Sequence, residues 1–147
     1  MKVINIRHTG IVTDNLKKSL YFYKTLLGFK VKKRMLEKGN TTDNISNLKN
    51  VRVETIKLYK KKNQIIELLF YHSHKRSNRN KFYNISRIGI SHISMTVKNL
   101  QMTYKKLKGN NIKFISEPNT SDDGNVKITF CRAPQGTLIE LVEELNN

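Results

Sequence analysis

Cysteine is almost missing from this 147-residue chain: Cys131 stands alone, so no internal disulfide can form and a reducing compartment is expected. Cys131 lies in the strand-like run Ile128-Thr129-Phe130-Cys131, where a thiol is ordinarily buried and inert. Long hydrophobic runs are missing too. No stretch approaches the ~18 consecutive apolar residues of a membrane-spanning helix. The opening Met1-Lys2-Val3-Ile4-Asn5-Ile6-Arg7-His8 has no apolar signal core and reads as a strand, which makes the cytoplasm the expected location. Acidic residues are scarce, 11 against 28 Lys and Arg, for a net charge of +17. Such a charge suits nucleic acid, an anionic membrane surface or an anionic small molecule. The lysines, however, spread along the whole chain, with dense patches only at Lys60-Lys61-Lys62 and from His74 to Lys81. The joint richness in Asn, Ile and Lys is the bias of an AT-rich coding sequence, which offers compositional drift as the alternative to a functional basic surface. With no helix-turn-helix, zinc-finger spacing or interleaved aromatic and basic residues, no nucleic-acid partner is expected.

What is present is an internal repeat. Arg7-His8-Thr9-Gly10-Ile11-Val12-Thr13-Asp14-Asn15-Leu16 aligns with Ser91-His92-Ile93-Ser94-Met95-Thr96-Val97-Lys98-Asn99-Leu100, matching the His and the Asn-Leu pair seven residues on. Further along, Ile66-Glu67-Leu68-Leu69 aligns with Ile139-Glu140-Leu141-Val142. Each half therefore opens on a strand carrying His and closes on a strand carrying Glu.

Between these ends the patterns also repeat. Asn15 is a helix N-cap, Leu16, Leu20, Tyr23 and Leu27 recur at helical spacing, and Gly28 is the stop. In the second half Asn99 caps, Leu100, Tyr104 and Leu107 form the stripe, and Gly109 stops. Strands are expected at 30–34, 51–59 and 64–71, then at 113–115, 126–132 and 137–142, with Gly124, Pro134 and Gly136 marking turns. The expected fold is α+β, two tandem βαβββ modules at 1–71 and 87–147 in one domain, joined by a basic, exposed linker at 72–86. The polar stretch Glu37 to Asn50 reads as a long loop, able to act as a lid or rim over a substrate.

A Glu inside an apolar strand calls for compensation, because burying a carboxylate costs several kcal/mol otherwise. Ile65 and Leu69 share the face of Glu67, and Leu138 and Val142 share that of Glu140. One divalent ion held by His8, Glu67, His92 and Glu140 would compensate both carboxylates and explain both histidines. His72 and His74 form a second His-x-His pair, but they run into the basic linker and read as exposed.

Several phrases resemble the vicinal oxygen chelate family, which comprises glyoxalases, bleomycin-resistance proteins and extradiol dioxygenases. They are His8-Thr9-Gly10-Ile11-Val12, Leu20-Tyr21-Phe22-Tyr23-Lys24-Thr25-Leu26-Leu27-Gly28-Phe29, Gly89-Ile90-Ser91-His92, and Pro134-Gln135-Gly136-Thr137-Leu138-Ile139-Glu140-Leu141. The usual acidic residue before the Pro is Ala133 here, at a turn. The resemblance implies a half-open barrel around a metal site, with His8, Glu67, His92 and Glu140 at the ligand positions, and a homodimer. Two histidines with two carboxylates resemble lactoylglutathione lyase and methylmalonyl-coenzyme A epimerase-like members more than the two-histidine, one-carboxylate dioxygenases. The donor set suits zinc, nickel, cobalt or manganese. The expected chemistry is proton transfer beside a metal-chelated carbonyl, with Glu140 as base and Glu67 next. The +17 charge points to an anionic substrate, such as a glutathione adduct or coenzyme A thioester. It disfavours, without removing, the alternative of a ligand-sequestering protein of the antibiotic-resistance type. The epimerases carry an extra acid ahead of their second strand. Here Asn47-Leu48-Lys49-Asn50 has none, and Glu54 is a weak substitute.

Overall fold

The computed structural model describes residues 2–61, 64–76 and 83–146. Lys62 and the basic tract 77–81 noted above lie outside the described residues. The chain divides into two compact units, Met1–Asn78 and Arg79–Asn147.

The first unit runs β1 (Thr9–Val12), helix α1 (Leu16–Leu20) continuing in wider turns through Tyr21–Leu26, β2 (Lys30–Lys38), α2 (Asn40–Ser46), β3 (Arg52–Tyr59) and β4 (Ile65–Tyr71). Its strands form one mixed sheet in the order β1-β4-β3-β2, with β1 parallel to β4 and the other pairs antiparallel. The second unit runs β5 (His92–Thr96), α3 (Leu100–Gly109), β6 (Asn119–Thr120), β7 (Val126–Arg132) and β8 (Leu138–Glu144). Its sheet has the order β5-β8-β7-β6, again with only the first pair parallel. Both units are therefore α+β, as the doubled pattern predicts, and each sheet is open, as the family resemblance implies.

Helices α1 and α3 both start where Asn caps them. The Asn15 side chain accepts from the Lys18 amide at 2.9 Å, and that of Asn99 from the Met102 amide at 2.7 Å. In the first unit Ile11, Ile56, Leu58, Ile66 and Leu68 are buried with Phe22, Tyr23 and Phe29. After Leu20 the turns widen, and the Leu27 amide closes on the Phe22 carbonyl five residues back. The adjacent rings of Phe22 and Tyr23 both become fully buried, edge to face at 5.0 Å. Gly28 then takes a left-handed φ of 73°, which favours glycine. In the second unit Leu100, Tyr104, Leu107, Cys131, Ile139 and Leu141 are buried. The opposite face of each sheet is left for Glu67 and Glu140.

The observed elements differ from the expected ones in three places. β1 begins at Thr9, so the opening residues lie outside it and Val3, Ile4 and Ile6 are exposed. The stretch 37–50 is not all loop. β2 runs on to Lys38 and α2 follows, with the Asp43 carboxylate accepting from the Asn50 and Val51 amides at 2.8 Å each. Residues 113–115 make only an isolated bridge, Phe114 to Cys131, and the short strand β6 pairs with β7 after Pro118. Pro118 has no amide to donate, so the ladder breaks there and resumes shifted.

Candidate metal centre

The repeat becomes a geometric one at the parallel strand pairs. Gly10 is the register partner of Glu67, and His8 precedes it by two residues, immediately before β1. Ser94 is the register partner of Glu140, and His92, the first residue of β5, precedes it by two. Each unit thus sets an imidazole diagonally across a parallel ladder from a carboxylate, on one face. His8 Nε2 stands 3.1 Å from Glu67 Oε2, and His92 Nε2 stands 3.5 Å from Glu140 Oε2.

The environments of the two pairs differ. Glu67 is buried at 9% exposure, and its other oxygen, Oε1, lies 3.4 Å from the Lys57 ammonium on the neighbouring strand. Glu140 has Phe130 as its register partner at the same place, and the Phe130 ring stands edge to face with His92 at 5.2 Å. The Ser91 hydroxyl lies 2.9 Å from His92 Nδ1, an outer contact that orients the ring and leaves Nε2 toward Glu140.

Among the described residues, no three His, Cys, Asp or Glu side chains converge as a metal cluster; the candidates gather as one His–Glu pair in each unit. Zinc and its neighbours take four or more ligands, so neither pair suffices alone. The donor chemistry fits: each pair offers one imidazole nitrogen and one carboxylate oxygen on the same side of a sheet.

Other candidates resolve differently. His72 is exposed, 3.3 Å from Glu54 Oε2, with its ring against Phe70. His74 Nδ1 pairs with the Ser73 hydroxyl at 2.7 Å. Glu54 sits three residues from Lys57 on β3, hence on the face away from Glu67, where Arg34 and His72 hold it. Burial works to raise its pKa, but the hydrogen bonds and charges of Arg34 and His72 prevail and hold the carboxyl below the usual range. Glu54 therefore does not stand in for the missing epimerase acid. Cys131 is fully buried, and desolvation pushes its thiol up to about 12, consistent with an inert core residue. Lys57 was missed from sequence because β3 reads there as a strand of alternating apolar and polar residues. Only the register shows it opposite Glu67.

The model of the Glyoxalase/Bleomycin resistance protein/Dioxygenase superfamily matches residues 5–141. The chain belongs to this superfamily. No curated protein sequence matches it. Among solved structures, a glyoxalase family protein from Bacillus cereus aligns with a TM-score of 0.91 at 18% identity, over 99% of this chain and 97% of that one. The trypanothione-dependent glyoxalase I of Leishmania major aligns with a TM-score of 0.68 at 19% identity, over 97% and 88%. A glyoxalase family protein from Enterococcus faecalis aligns at 0.66 with 21% identity, over 95% and 98%. At these identities the likeness establishes the fold.

Proposed function

We propose that the protein is a divalent-metal-dependent lyase or isomerase of glyoxalase type, moving a proton on the carbon beside the carbonyl of a small anionic substrate. The observation that carries this reading is the His–Glu diagonal repeated at the same register in both sheets. Two independent strand pairs would not each place a carboxylate and an imidazole in this relation for packing alone, since apolar residues would fill the sites at lower cost. Together His8, Glu67, His92 and Glu140 supply four ligands, drawn from one chain or from two.

A divalent ion held by these residues would supply Lewis-acid chemistry at the substrate oxygen, making the neighbouring C–H bond more acidic. Glu140 takes that proton and returns it. It is the better placed of the two carboxylates, because Glu67 is shared between His8 and the Lys57 ammonium, while Glu140 pairs with His92 and has the uncharged Phe130 as its register partner. A carboxylate that holds a cation is a poor base, so Glu140 would serve as base only while not holding the ion.

One observation favours a second reading. The Lys57 ammonium already balances Glu67, which is what a metal-free, ligand-sequestering module needs. The two readings separate in a substrate panel with added zinc, nickel, cobalt or manganese. The panel contains a methylglyoxal–glutathione hemithioacetal, methylmalonyl-coenzyme A and a catechol under oxygen. The enzyme reading predicts metal-dependent deuterium wash-in at the carbon beside the carbonyl, lost in Glu140→Gln. Binding without exchange, unchanged in Glu140→Gln, supports sequestration, and turnover of the catechol alone makes the protein an oxygenase. A cytoplasmic location accords with the lone buried thiol, and among the described residues no helix is long and apolar enough to cross a membrane.

A further inference from the structure

The widespread positive charge converges at one place in the first unit. A cleft of about 550 Å3 is lined by Arg7, His8, Lys32, Lys33, Lys57 and Ile65, among others. Four of these are cations, and one wall is His8, so the cleft opens beside the His8–Glu67 pair. Its volume is that of a small-ligand site.

The local strand pairing concentrates this charge. Val31 is the register partner of Leu58 and Lys33 that of Lys57, so the pairing skips Lys32 and β2 carries a bulge there. Bulges re-aim side chains, and here both Lys32 and Lys33 line the cleft. The same register sets Lys33 directly opposite Lys57, a like-charge pair that destabilises a sheet. Among the described residues Glu67 is the only acidic partner any of the four cations has within ion-pair distance, and it partners Lys57 alone. A cleft with surplus charge and opposed lysines is suited to an anion that carries more than one negative charge.

We infer that this cleft binds the phosphate or phosphonate group of the substrate. Such a group brings nearly two charges and three acceptor oxygens, matching a guanidinium and several ammonium groups arrayed around it. A single carboxylate would leave most of the cations unneutralised. The substrate class is then a small oxo compound bearing a phosphate or phosphonate, with the anion beside Lys33 and Lys57 and the reacting carbon toward His8 and Glu67. The position of the reacting carbon rests on the proposed metal centre, whereas binding of the anion does not.

The test uses the full chain freed of metal by chelation, titrated calorimetrically with inorganic phosphate and, separately, with acetate. Saturable phosphate binding at one site per chain is expected, at least tenfold tighter than acetate. Lys32→Gln with Lys33→Gln, both on an exposed stretch of β2, should weaken phosphate at least tenfold. Lys17→Gln with Lys18→Gln on α1 removes equal charge elsewhere and should leave it unchanged. No saturable phosphate binding, or equal weakening by both double variants, would overturn the inference. Phosphate binding by a chain that takes up no metal supports the cleft while refuting the metal centre. Metal uptake without phosphate binding does the reverse.

Discussion

Glu67 and Glu140 occupy equivalent register positions and keep different company, Lys57 for one and Phe130 for the other. In the proposed chemistry this difference in surroundings makes Glu67 the holding ligand and Glu140 the base. A third carboxylate, Glu54, works for stability. Its pKa is lowered in the folded chain, so its contribution is complete above the unfolded value and is lost as pH falls through the lower folded one. Urea unfolding from about pH 6 to about pH 3 should therefore show a smaller loss of stability in Glu54→Gln than in the parent chain. An identical acid profile in the two would mean that Arg34 and His72 do not stabilise the fold through Glu54.

At the scale of elements, what was legible in the sequence was whatever local chemistry decides. Asn15 and Asn99 announce the helix starts because only a short polar side chain caps an exposed amide there, and Asn99→Ala should cost about 1 kcal/mol in chemical denaturation. The Ile-Glu-Leu phrases announced β4 and β8 with their ligand candidates. What was not legible depends on partners distant in sequence. The bulge at Lys32 and the opposition of Lys57 to Glu67 are properties of strand register. Helix α2, built of Asn, Thr, Asp and Ser, has poor intrinsic propensity and is fastened by Asp43 reaching forward to Asn50 and Val51. Ile45 is exposed on it, and we propose this segment as a rim over bound substrate. Deleting Thr41 to Ser46 should weaken substrate affinity several-fold while the fold persists. Unchanged affinity would reduce α2 to a surface insertion.

For the whole molecule, the two units share one topology, one His–Glu pair each, and an exposed apolar segment ahead of each His. Ile4 and Ile6 precede His8 at the same spacing at which Ile88 and Ile90 precede His92, and all four are more than three-quarters exposed. Repeated apolar segments of this kind, next to open sheet edges, call for a covering partner, and a second copy of the chain offers the matching segments. We expect a homodimer by sedimentation at micromolar concentration, and a monomer throughout that range would contradict it.

The proposed chemistry requires one divalent ion held by both His–Glu pairs, and metal stoichiometry tests that most directly. Protein purified without added metal, then equilibrated with zinc, nickel, cobalt or manganese, should hold about one ion per chain. His92→Ala, which removes a ligand from one unit only, should abolish binding although the other pair is intact, because two ligands do not hold such an ion. Full occupancy retained in His92→Ala would contradict the shared site and, with it, the proposed chemistry.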